Sequence, residues 1–199
     1  MNGIDSAFFV QLADYARRWP QEAATVGLFQ VLLEDAADAY GRERLAGHFT
    51  ASAWLVSGDE ARALLTHHRK LGLWLQLGGH ADGERDLTVA ALKEAEEESG
   101  LAGLRIEPGI FDLDRHWIPE RRDVPGHWHY DVRYVVRAGA DERFVVGDES
   151  LDLAWRCIRE LAEDPDESLA RMARKWLQMP LPSGDRGECR AGKVARSDG

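Results

Sequence analysis

Cysteine, basic charge and long apolar runs are all scarce in this chain. Two cysteines, Cys157 and Cys189, are too few for a disulfide framework and have no Cys-x-x-Cys spacing. They read as reduced thiols of a cytoplasmic protein, with Cys157 a small buried hydrophobe. No apolar run approaches the roughly 18 residues of a membrane span, and the N-terminus lacks the basic-then-apolar order of a signal peptide. The 25 lysines and arginines fall well short of the 35 acidic residues, for a net charge of −10. That balance argues against an extended nucleic-acid or anionic-membrane surface. The 199 residues suffice for one domain with a real core and are too few for two large ones. No internal repeat is present.

What the chain does have is acid, concentrated in Gly78 to Leu101 (GGHADGERDLTVAALKEAEEESGL). Asp86 is a plausible N-cap, no breaker interrupts the residues after it, and Gly100 suits the left-handed position just past a helix end. On a helix of about 3.6 residues per turn, Glu94, Glu97 and Glu98 crowd one face beside an apolar stripe of Ala91, Leu92 and Ala95. Like charges at these offsets repel, and the last turn carries the negative end of the helix dipole. Lys93, four residues before Glu97, neutralises only part of the cluster. Either the face is simply solvated, or a hard divalent cation completes it. Carboxylates suit Mg²⁺ or Mn²⁺ better than Zn²⁺.

The same stretch resembles the signature of the Nudix hydrolases (MutT-like), which reads Gly, five residues, Glu, seven residues, Arg-Glu-apolar-x-Glu-Glu-x-Gly-apolar. Lys93 to Leu101 match the second half, with Lys93 in place of the usual arginine. In the first half the spacing departs. Counted back from Lys93, Arg85 stands where the isolated glutamate belongs, and Glu84 takes that role in a shifted loop. The resemblance implies an α/β fold, an α/β/α sandwich around a mixed β-sheet, covering roughly residues 47 to 163. It implies Mg²⁺ or Mn²⁺ held by Glu94, Glu97 and Glu98 with a carbonyl of Gly78 or Gly79, and box support from Glu84 and Lys93. The base is then a box glutamate, Glu97 by preference, or Glu149 from a later loop. The expected activity is cleavage of a diphosphate linkage in a nucleoside diphosphate derivative or nucleotide. The changes at Arg85 and Lys93 keep open a non-catalytic nucleotide-binding or regulatory protein on the same fold. A diphosphate isomerase on that fold would need a reactive cysteine, and neither cysteine sits in a recognisable context for one.

Around this box, residues 4–18 and 21–40 read as a helical hairpin. Phe8 or Phe9, Leu12 and Tyr15 or Ala16 face inward on the first helix, and Val26, Phe29, Leu32, Leu33 and Ala36 on the second. They form a 1–46 extension that covers the core or makes a homodimer contact. A Nudix domain follows over 47–179, and a polar tail over 180–199 reads as disordered. Residues 49–57 and 61–67 form a strand hairpin. His67, His68, Arg69 and Lys70 follow it as a basic cluster, either an exposed loop or a phosphate contact. Residues 71–77 are an apolar strand entering Gly78, and His80 is a metal or phosphate contact or a loop-structuring residue.

Strands are also expected over 106–113 and 129–137. The basic, aromatic loop between them carries Arg115, Trp117, Arg121, Arg122 and Trp128, with Arg133 just beyond. Aromatic faces stack bases and guanidinium groups clamp phosphates, so this loop is the candidate reader of the substrate's organic half. The alternative is a surface hairpin with packing tryptophans. His127 and His129 share one side of a strand, but no third ligand lies nearby in the chain, so zinc is not expected. A last helix from about Asp166 turns Leu169, Met172, Ala173 and Trp176 inward.

Overall fold

The computed structural model describes residues 3–35, 38–121, 124–148, 150–180, 187 and 189. Among them, helices α1 (Gly3–Arg18) and α2 (Ala23–Glu34) precede strands β1 (His48–Val56), β2 (Arg62–His68), β3 (Trp74–Leu75) and β4 (Leu77–His80). Helix α3 (Leu87–Ser99), β5 (Arg105–Ile106), β6 (Asp112–Ile118), β7 (His127–Arg137), β8 (Ser150–Cys157), α4 (Ile158–Leu161) and α5 (Glu167–Gln178) follow. The strands belong to one sheet in the order β3-β2-β1-β7-β5, with β4 on β1, β6 on β7 and β8 on β2. None of the described helices is long and apolar enough to cross a membrane. The chain divides into two compact units, Met1–Ser52 with Gly78–Ala91 and Pro108–Tyr134, and Ala53–Leu77 with Leu92–Glu107 and Val135–Gly199.

In the first unit, Phe8, Leu12 and Tyr15 of α1 and Val26, Phe29 and Leu32 of α2 are buried, as their helical spacing requires. Phe49 of β1 gathers them. Its ring meets Phe8 edge-on at 5.3 Å, stacks on Phe29 at 6.1 Å and lies 5.1 Å from Tyr40. The two helices therefore cover the core at β1. The second helix stops at Glu34 and not at Tyr40; Tyr40 packs in the core from the segment after it, and Ala36 lies outside the described residues.

Gly78 opens the acidic stretch because of how closely β4 approaches β1. A Cβ on it would come within 2.3 Å of Ser52 Oγ and 2.7 Å of Ala51 O and Ser52 Cα. Two of these atoms are backbone, which cannot swing aside. Gly78→Ala is therefore expected to cost about 1–3 kcal/mol through overpacking, read as a lowered urea midpoint with an unchanged m-value.

The second unit is built on Leu55, Leu64, Leu77, Leu101, Leu104, Val136, Phe144 and Leu153, with Ala95 of α3 among them. Strand β2 pairs antiparallel with β8 from Arg62↔Cys157 to His68↔Ser150. Asp166 caps α5 by accepting from Ser168 N (2.9 Å) and Leu169 N (3.1 Å), and Leu169, Met172, Ala173 and Trp176 are buried as expected. Two expectations change here. Residues 71–77 are not one strand, since Leu71 and Leu73 are exposed and the segment breaks into β3 and β4. The cysteines are not free thiols. Half-buried Cys157, at the end of β8, is bonded to Cys189, with Cα atoms 5.6 Å apart. Two cysteines 32 positions apart carry no spacing signal for this pairing. Most of 180–199, for which a disordered tail was expected, lies outside the described residues.

Candidate functional site

Helix α3 starts and stops where its sequence says it should. Asp86 Oδ1 accepts from Thr88 N at 3.0 Å, and Glu84 Oε1 accepts from Asp86 N at 2.9 Å, so Glu84 shapes the turn into the helix. Arg85, in the register of the family's glutamate, turns elsewhere. Its guanidinium lies 5.1 Å from the Tyr40 ring centroid and 3.9 Å from Asp38. At the other end Gly100 adopts φ +67°, and its N–H donates to Glu96 O at 2.9 Å.

Between these caps, Ala91 and Ala95 are buried, Glu94 and Glu98 are half-buried, and Glu96 and Glu97 are exposed. Lys93 Nζ lies 3.8 Å from Glu97 Oε1, with both side chains mostly in solvent. A single exposed pair of this kind contributes a few tenths of a kcal/mol. Glu94, Glu97 and Glu98 are carboxylates, hard oxygen groups of the kind that suit Mg²⁺ or Mn²⁺. Gly79 and His80, both half-buried, end β4.

The segment read as a basic aromatic loop is mostly ladder. β6 and β7 pair from Asp112↔Arg133 through Arg115↔Tyr130 and His116↔His129 to Ile118↔His127. Side chains alternate between faces of a strand, so this register sorts the residues into two rows. One row holds Leu113 and Val132, Arg115 and Tyr130, Trp117 and Trp128. The Arg115 guanidinium stacks 3.6 Å from the Trp128 ring centroid, and Trp117 meets Trp128 edge-on at 5.2 Å. Arg115 and Trp128 thus pack on each other, whereas Trp117 is 51% exposed. Arg121 is exposed beside its bridge to Val124. Arg122 and Glu149 lie outside the described residues.

The opposite row is polar apart from Ile118 at its end. Arg133, grouped by sequence with the phosphate-clamping arginines, is 2% exposed and inaccessible to substrate. Its Nε donates to Asp131 Oδ2 at 2.7 Å and its Nη1 to Asp112 Oδ2 at 3.0 Å, while Nη2 lies 3.3 Å from Asp114 Oδ2. Thr50 Oγ1 and Ser52 Oγ donate to Asp131 Oδ1 at 2.9 and 2.8 Å. Burial alone would lower the Arg133 pKa, but the three carboxylates outweigh it and the net shift is upward.

Further along the same row come the histidines, and here sequence reasoning missed a residue. His116 and His129 face each other across the ladder, His127 lies one step beyond, and His48 and His80 close in from β1 and β4. The ring nitrogens of His48, His80 and His129 lie within 4.8 Å of one another. Of the His127 and His129 pair singled out in the sequence only His129 belongs to this group, and strand pairing brings His48 and His80 to it. Burial is the main cause that lowers all three pKa values, to about 4 for His80 and about 2 for His129, with neighbouring charges adding to it. These imidazoles are neutral at pH 7. Gly47 makes the approach of His48 possible, since a Cβ there would meet Trp128 O at 2.8 Å.

Comparison with known proteins gives a consistent picture. A search among curated proteins gave no match. Among solved structures, a NUDIX-family hydrolase from Clostridium perfringens is 22% identical, covering 65% of this chain and 95% of its own, with a TM-score of 0.51. A Nudix hydrolase from M. smegmatis is 21% identical over 68% of this chain and 89% of its own (TM-score 0.51). A MutT protein from Methanosarcina mazei is 14% identical over 66% and 96% (TM-score 0.52). At such identities the likeness is one of fold. The family model of the NUDIX domain matches residues 47–177, well over half of the sequence. The chain therefore belongs to the Nudix family, and its fold is that family's α/β/α sandwich around a mixed β-sheet.

Proposed function

We propose that this protein is a divalent-metal-dependent hydrolase that cleaves a phosphoanhydride linkage in a nucleoside diphosphate derivative or nucleotide. Family membership supports a hydrolase of this kind. The observation that carries the reading is the set of three carboxylates at offsets of three and four on α3, between the Asp86 cap and Gly100. In this reading Glu94, Glu97 and Glu98 hold Mg²⁺ or Mn²⁺, and the resemblance adds a carbonyl of Gly79 or Gly78. Such ions neutralise phosphoryl oxygens and lower the pKa of water.

The chain's own residues do the rest. Glu97, the most exposed of the three, accepts the water's proton, with Glu149 as the alternative base. Glu84 and Lys93 hold the box in shape. Trp117 offers an open aromatic face to the organic half of the substrate, and His80, Arg115, Arg121, Arg122 and Trp128 are the other residues of the substrate-binding assignment. The packing of Arg115 on Trp128 favours a supporting part for that pair.

The test is a panel of nucleotide sugars, dinucleotides, nucleoside di- and triphosphates and coenzyme A. Products are followed by phosphorus NMR, with Mg²⁺ omitted as control. Cleavage of a diphosphate-containing member only in the presence of the ion is expected. Binding with no product released under any condition would instead favour the regulatory reading that the changes at Arg85 and Lys93 raise.

A further inference from the structure

Five of the chain's seven histidines, His48, His80, His116, His127 and His129, stand ring to ring in the first unit, and hydrolysis as proposed uses only His80 among them. Their hydrogen bonds fix where the protons are. His48 Nδ1 meets Arg44 O at 3.3 Å, and His127 Nδ1 meets Pro125 O at 2.8 Å. A carbonyl only accepts, so in both rings Nδ1 carries the hydrogen and Nε2 is a bare lone pair. His116 Nδ1 is held in the same way by the Asp114 carboxylate at 3.0 Å.

One inward nitrogen stands without a partner. His48 is 1% exposed, and its Nε2 has no hydrogen-bond partner. His127 Nε2 accepts from His129 Nε2 at 3.2 Å, which leaves Nδ1 as the bare nitrogen of a neutral His129. An outer nitrogen bonded to a carbonyl with the inner nitrogen left bare, as in His48, is how proteins orient an imidazole toward a metal. A buried polar atom without a partner also calls for an explanation, and an ion is one.

We propose that His48, His80 and His129 form a binding site for a borderline divalent transition ion, with Zn²⁺ as the reference, distinct in chemistry from the carboxylates of α3. Three neutral nitrogens suit Zn²⁺ or Co²⁺ and are a poor set for Mg²⁺. Tetrahedral Zn–N bonds place ligand nitrogens about 3.4 Å apart. The observed spread within 4.8 Å closes by small ring movements. A bound ion ties the start of β1 and the end of β4 to β7, beside the hydrogen bonds that Thr50 and Ser52 already make to Asp131. His127 and His116 support His129 from either side.

The test uses the full chain, stripped with a chelator and titrated with Co²⁺. A nitrogen-rich tetrahedral site gives intense visible absorption, whereas an octahedral carboxylate site gives weak bands, so the two are told apart in one spectrum. The intense band is expected to saturate with a single ion, to be displaced by Zn²⁺, and to persist in the Glu97→Gln, Glu98→Gln double variant. His48→Gln, His80→Gln and His129→Gln should each weaken Zn²⁺ binding by about 100-fold or more, since even residues behind metal ligands are worth up to that factor. Circular dichroism checks the fold of each variant. The half-buried His80→Gln carries the test if the other two do not fold. Absence of the intense band from the unmutated chain would overturn the proposal, as would unchanged Zn²⁺ affinity in the folded variants.

Discussion

Arg133→Ala is expected to destabilise the protein by about 3–5 kcal/mol, a large part of the roughly 5–15 kcal/mol that holds a domain together. The reason is charge. Arg133 meets Asp112, Asp114 and Asp131, so one cation stands against three carboxylates, and removing it leaves only negative charge in a buried place. Thr50 and Ser52 offset part of the Asp131 charge but offer nothing to Asp112. At about 2–4 °C per kcal/mol for a chain of this size, the melting temperature should fall by roughly 6–20 °C. Arg133→Lys should lose less, because it keeps the charge while giving up the planar fork that reaches several carboxylates together. Thermal unfolding followed by circular dichroism measures both, and an alanine variant within about 1 kcal/mol of the parent would contradict this account of the cluster.

Glu97→Gln and Glu98→Gln, made singly, should have the opposite profile: turnover lost with the fold intact. Losing a general base alone costs roughly 10²–10⁴-fold, and losing an ion ligand adds to that. Stability should hold or rise by a few tenths of a kcal/mol, because each change relieves repulsion among carboxylates at three- and four-residue offsets. In Glu97→Gln the lost Lys93–Glu97 pair is of similar size and cancels the gain, so that variant should hold its stability rather than gain. Activity falling while the melting temperature holds marks a cluster kept for chemistry rather than for packing. Full activity in both variants would remove these glutamates from the mechanism.

The parts of this molecule that were legible in the sequence are those fixed by neighbours in the chain. Asp86 caps a helix and Gly100 ends it because both decisions are local, and the inward residues of α5 follow from a period of about 3.6. The acidic face of α3 was readable for the same reason. What escaped was set by pairing between distant strands. Alternation in residues 127–137 shows which side chains share a face. Only the β6 register reveals that Arg133 lies among aspartates, and only β1 and β4 supply His48 and His80 to His129. The Cys157–Cys189 bond is likewise a meeting of distant positions that no local spacing announces.

The most direct test of the carboxylate site is calorimetric titration of the full chain with Mn²⁺ and Mg²⁺, with and without a nucleotide diphosphate. The same titration is then run on a Glu94, Glu97, Glu98 to glutamine triple variant. Saturable uptake that strengthens with nucleotide and disappears in the triple variant is predicted. No uptake by the parent chain, or an unchanged isotherm in the variant, would contradict the claim that these three acids hold the ions on which hydrolysis depends.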